Sequence, residues 1–112
     1  MNVSETISLN NSINTLLQGK LSTSLIFKLY KIQQELKPVL EIAVETLDKV
    51  RLDNQDEPDV NDIVKKEENR ILRETSNLTL KPSVLLSELP EEMDGHVLVA
   101  LIPVILEEEN KK

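Results

Sequence analysis

Between Ser24 and Leu52 apolar residues recur at Leu25, Leu29, Ile32, Leu36, Val39, Ala43, Leu47 and Val50, with Leu40 beside them. Every step is three or four, the spacing of one face of an α-helix. At 1.5 Å per residue, a helix over 24–52 is about 43 Å long. A chain of 112 residues can supply one modest core, so this rod must be the spine of a single domain, 1–112. The same stripe is the candidate core or interface surface, because a rod of that length exceeds what so small a chain can cover.

Ser22, Thr23 or Ser24 can cap the start of the rod, each offering a side-chain oxygen to a free backbone N–H. Pro38 lies inside it and withholds the hydrogen bond that the Gln34 carbonyl would accept. That predicts a kink near 34–38, or two helices meeting there. The stripe keeps its phase across the proline, which favours one bent helix.

The flanking segments are shorter. Thr6, Ile7 and Leu9 suit a strand of a few residues, followed by a helix capped by Asn11 or Ser12 and carrying Ile13, Leu16 and Leu17. Gly19 stands where a helix end commonly takes positive φ. Residues 52–59 read as an acidic loop closed by Pro58. Asp59 can cap a third helix with a thin stripe of Val60, Ile63, Val64, Ile71 and Leu72. On its surface Asp62–Lys66 and Arg70–Glu74 are spaced as i,i+4 pairs. Leu78 and Leu80 alternate, which suggests a second strand over 77–81 pairing with 6–9, and 83–88 suits a single helical turn.

The most apolar stretch comes near the end, HVLVALIPVIL. Its ten uncharged residues, Val97–Leu106, fall well short of the roughly 20 needed to cross a bilayer. It reads as a helix capped by Asp94, with Val97, Leu98, Leu101, Ile102 and Ile105 inward, or as a strand buried on both faces. Pro103 ends its regular part, and 107–112 is a polar tail in water. The fold class expected is therefore mainly α, or α+β where the one or two very short strands pair.

Composition excludes several kinds of chemistry. Zero cysteines rule out disulfides, thiolate metal sites and a cysteine nucleophile. The two glycines, Gly19 and Gly95, cannot build a phosphate-cradling loop. The single histidine, His96, lies near Glu91, Glu92 and Asp94, an arrangement that suits a surface residue at a helix start. None of the acidic clusters has the spacing of a calcium loop. The reading is of a protein that is not an enzyme, with no cofactor, no metal and no small-molecule substrate.

Charge is uneven. Residues 1–52 hold six Lys/Arg against five Asp/Glu, whereas residues 53–112 hold seven against fifteen, within a net charge of −7. An acidic half repels phosphate, so nucleic acid is disfavoured despite Lys20, Lys28, Lys31 and Lys37 on or near the long helix. The partner expected is a protein or a second copy. The opening residues are polar and lack the pattern of a signal peptide, which suggests a cytoplasmic setting and makes the sequons at Asn2, Asn10 and Asn77 chance matches.

Taken in order, NNSINTLLQGKLSTSLIFKLYKIQQEL, a polar acidic interruption and LTLKPSVLLSELPEEMDGHVLVALIPVI resemble the layout of small uncharacterised tailed-bacteriophage proteins. The resemblance is one of spacing, covers most of the chain and departs over 53–70. It implies a virion or the cytoplasm of a bacterial host, and transfers no functional residues. The function expected is protein–protein interaction, as a virion, assembly or accessory component. The alternative is an acidic inhibitor of a host defence protein, and the third is a nucleic-acid-associated factor.

Overall fold

The computed structural model describes residues 1–76 and 78–106. Among these residues are four helices, α1 (Val3–Leu17), α2 (Thr23–Asp53), α3 (Val60–Leu72) and α4 (Gly95–Leu101), and two two-residue strands, β1 (Val84–Leu85) and β2 (Ile105–Leu106). Single 3-10 turns precede α4 at Leu86–Glu88 and follow it at Ile102–Val104. The fold is mainly α, with α2 as its long axis.

Helix α1 begins at Val3, where a strand over 6–9 was expected. The reason is a capping box: Asn2 Oδ1 accepts from Glu5 N at 2.8 Å, and Glu5 Oε1 accepts from Asn2 N at 2.8 Å. Its buried row of Val3, Thr6, Leu9, Ile13 and Leu16 is helical in period, but Thr6 interrupts its apolar character and imitates alternation. The buried Thr6 hydroxyl donates to the Asn2 carbonyl at 3.0 Å, so it leaves no unpaired donor. Gly19 does not adopt positive φ; α1 ends on Gln18 in the right-handed region.

Of the three candidate caps for α2, Ser22 takes the role, accepting from Leu25 N at 3.1 Å. The helix runs without a break through Pro38, so the two-helix alternative is set aside. Its 31 residues make a rod of about 46 Å. The molecule measures 59 × 27 × 23 Å, with a radius of gyration of 17.0 Å. A compact domain of this length would have a radius near 13 Å. The excess comes from the far half of α2 and from α3, which form an arm projecting beyond the core.

That core joins Leu9, Ile13 and Leu16 of α1 to Leu25, Leu29, Ile32 and Leu36 of α2, closed by Val84, Leu89, Val97, Leu101 and Val104. Helix α3 contributes only Val64 to the buried set, and Val64 lies outside this cluster. Asp59 and Asp94 stand at the N-caps of α3 and α4 without making side-chain cap bonds. The expected pairs Asp62–Lys66 and Arg70–Glu74 are replaced by Arg70–Glu67 at 3.5 Å. The last helical turn of α3 gives way at Arg73, so Glu74 no longer sits one turn above Arg70.

The strand partners also differ from expectation. At its described positions the segment 77–81 is irregular, Asn77 itself lying outside them. The pairing that forms is parallel, β1 with β2, with Ser83 N donating to the Val104 carbonyl at 2.9 Å. Segment 97–106 is helix first, then a turn containing Pro103, then the two residues of β2; the helical reading holds for Val97–Leu101, and the strand buried on both faces does not form, since Leu106 is exposed. Val97, Leu101 and Val104 face inward, whereas Ile102, expected inward, is exposed because the chain tightens into the 3-10 turn there. The tail 107–112 and its expected solvation lie outside the described residues.

Two tethers bind distant segments. Met1 accepts from Ser76 N at 3.1 Å, and Val3 N donates to the Glu74 carbonyl at 3.0 Å, which pins the start of α1 to the chain leaving α3. Lys28 Nζ lies 2.7 Å from Glu88 Oε1, which also accepts from Leu85 N at 2.8 Å. These two hydrogen bonds, from Lys28 first and Leu85 second, hold the Glu88 carboxyl below its ordinary value of 4.5. A depressed carboxylate adds stability above its unfolded pKa and loses it as pH falls through the folded one. Glu88→Gln is therefore expected to lower the urea midpoint at about pH 7, and to match the unsubstituted protein once the solution is acid enough to protonate Glu88 in both states. An equal deficit at every pH would show that the carboxylate charge contributes nothing.

Candidate functional site

The stripe of α2 divides at Pro38. Leu25, Leu29, Ile32 and Leu36 are buried, the last with no exposed surface. Val39, Leu40, Ala43, Leu47 and Val50 are only half-buried, and Ile42 and Val44 beside them are exposed. The first half is core. The second half is covered chiefly by α3, a helix with too thin an apolar face to close over both edges of the stripe, with Leu40 packed against the core and Val3 and Leu78 beside Val39 and Ala43.

One edge opens into a groove of about 730 Å³ where the start of α1 meets the end of α3 over the middle of α2. Pro38, Val39, Ile42 and Ala43 form its α2 wall, Val3 its end, and Ile71 and Leu78 its far wall. Glu35, Arg70 and Glu74 stand around these apolar residues. Ile42 is 63% exposed and stands beside other apolar side chains, so an apolar patch there is open to solvent.

The opposite edge differs in chemistry. There Gln33 Nε2 donates to Asn10 Oδ1 at 3.1 Å and to Asn14 Oδ1 at 2.9 Å, so the polar groups between α1 and α2 satisfy one another. Glu35 also lines a second cavity of about 490 Å³, shared with Phe27, Lys28, Lys31 and Lys81. Of the four lysines weighed for nucleic acid, Lys28 is engaged by Glu88 and Lys37 lies 4.0 Å from Glu41. Lys31 sits 5.5 Å from the Phe27 ring centroid, and Lys20 lies in the α1–α2 connection.

His96 is exposed on α4 and lines a small cavity with Ser8, Asn11 and Thr15 of α1. Among the described residues no group of three or more His, Asp or Glu side chains is placed to hold a metal ion. Among the same residues, no helix is long and apolar enough to cross a membrane.

Sequence reasoning missed Ile42, Ile71 and Leu78 as members of the groove. Ile42 falls off the main stripe, on a row with Glu35, Pro38 and Thr46 at steps of three and four. That row carries only two apolar residues, too few to stand out. Leu78 was assigned to a strand, and its place beside α2 depends on the tether between Met1 and Ser76. No protein-family model matches the chain, and neither the curated proteins nor the solved structures compared with it gave a match.

Proposed function

We propose that this protein works by binding another protein through the groove beside Ile42, without catalysing a reaction, as a phage-encoded assembly or accessory component. The observation that carries the reading is the exposure of Ile42 within an apolar groove on the half of α2 that the core does not reach. Aliphatic contact surfaces of this kind bind by excluding water, and the surrounding charges set orientation. The resemblance in layout to tailed-phage proteins supplies the setting.

A second reading draws on the tip of the arm, where Asp53, Asp56, Glu57 and Asp59 crowd one turn between α2 and α3. Such a tip suits attraction to a basic surface on a host protein, and makes the chain an inhibitor. A photo-reactive phenylalanine analogue separates the two readings. In place of Ile42 it is expected to cross-link to protein in a lysate of the producing cells, and in place of Asp56 it is expected to give no adduct. Adducts from position 56 alone would favour the inhibitor, and none from position 42 would remove the groove from consideration.

A further inference from the structure

Resting on the reading that this groove binds protein, we infer that its occupant is a second copy of this chain, seated antiparallel so that the two α2 helices cross at Ile42. The inference comes from one row of side chains on α2: Lys31, Glu35, Pro38, Ile42, Thr46, Lys49 and Asp53. Steps of four, three, four, four, three and four keep them on one helical face. Four of them, Glu35, Pro38, Ile42 and Thr46, line the groove together, and Lys31 shares the adjoining cavity with Glu35.

A two-fold axis through Ile42 places residues equally far on either side of it against each other. Ile42 then meets its own copy, and Pro38 meets Thr46. Glu35 meets Lys49, and Lys31 meets Asp53. Every charge on the row faces its opposite, twice over by symmetry. A parallel, in-register pairing instead sets Lys31, Glu35, Lys49 and Asp53 each against itself, so it repels at all four positions. The row is thus self-complementary in one direction and self-repelling in the other.

The groups needed are available. Among the described residues Glu35 forms no salt bridge, and Lys31 is held only by the Phe27 ring. Lys49 and Asp53 pair with each other at 2.6 Å, but both are more than half exposed, so exchange for a partner across the interface costs little. The Thr46 hydroxyl already donates to the Ile42 carbonyl at 2.7 Å, which lets Thr46 lie against Pro38 with no donor left unpaired. Arg70 of α3 and Glu74 just beyond it line the same groove and flank the incoming helix. The net charge of −7 on each copy opposes approach at long range, so burial of Ile42, Val39 and Ile71 drives association and the charged row selects its direction.

Sedimentation of the full chain across a concentration series, with charge exchange between copies, tests this. The unsubstituted protein is expected to form dimers. Glu35→Lys and Lys49→Glu are each expected to weaken dimerisation about tenfold or more, since each sets like charges together at two places. An equimolar mixture of the two variants is expected to recover the original affinity, because every contact between positions 35 and 49 in the mixed pair again joins opposite charges. Lys31→Glu and Asp53→Lys form a second such pair, and circular dichroism verifies that the helices are intact. A monomer at all concentrations, or a mixture no tighter than its components, overturns the inference. The adduct formed from position 42 separates this failure from that of the functional reading. A mass of two chains supports the dimer, an adduct with a different protein overturns it while keeping the groove as a binding surface, and no adduct removes both.

Discussion

Leu36→Asp is expected to abolish cooperative folding, whereas Ile42→Asp, six residues along the same helix, leaves the melting temperature of the monomer in dilute solution close to its original value. Leu36 has no exposed surface and belongs to the buried cluster that joins α1, α2 and the C-terminal segments. Removing a buried leucine side chain costs about 2–5 kcal/mol by itself. The aspartate must then be buried without a partner or protonated, which adds several kcal/mol more. Domains of this size hold about 5–15 kcal/mol in total, so the sum approaches or exceeds the reserve. Ile42 is 63% exposed and its replacement removes little from the core. Thermal melts followed by circular dichroism decide the matter. A sharp transition at the original temperature for Leu36→Asp would show that this face of α2 is not core.

Leu101→Ala is expected to lower stability by about 2–5 kcal/mol, a loss readable as a shift of the urea midpoint at unchanged slope. Leu101 is fully buried at the end of α4, where it meets the α1 row, and Val97 and Val104 on either side are also inside. Its side chain cannot be replaced by local collapse, because Pro103 and the β1–β2 pairing fix the backbone just beyond it. A change below about 1 kcal/mol would mean that α4 docks loosely and that the C-terminal segment is dispensable to the core.

The long helix was legible because its signal is redundant. Eight apolar positions at helical steps, with a capping serine before them, outvote one proline. The start of α1 was not read correctly, although N-V-S-E at 2–5 carries the spacing of a capping box. Thr6 and Ser12 in its buried row lowered the apolar contrast, and Thr6 is tolerated inside only because its hydroxyl reaches the Asn2 carbonyl. The β1–β2 pairing was beyond reach of local pattern, since two-residue strands far apart in sequence have no period to detect. For the candidate site, the α2 stripe was legible as residues, but its division at Pro38 into core and uncovered halves was not. That division depends on where α1 stops and α3 begins to cover the rod, which is set by the tether between the first residues and 74–76.

The arm has a consequence for how the protein comes apart. One continuous helix belongs to two regions of unequal cohesion: its first half is locked among twelve buried side chains, and its second half leans on α3 through Val64 and partly covered neighbours. Segments with few buried contacts open at lower free energy than the global transition. Helix α2 therefore frays from Asp53 inward while its first half stays closed, and its amide protons exchange along a gradient with the step near Pro38. A partner seated on the arm would erase that step without moving an atom of the core.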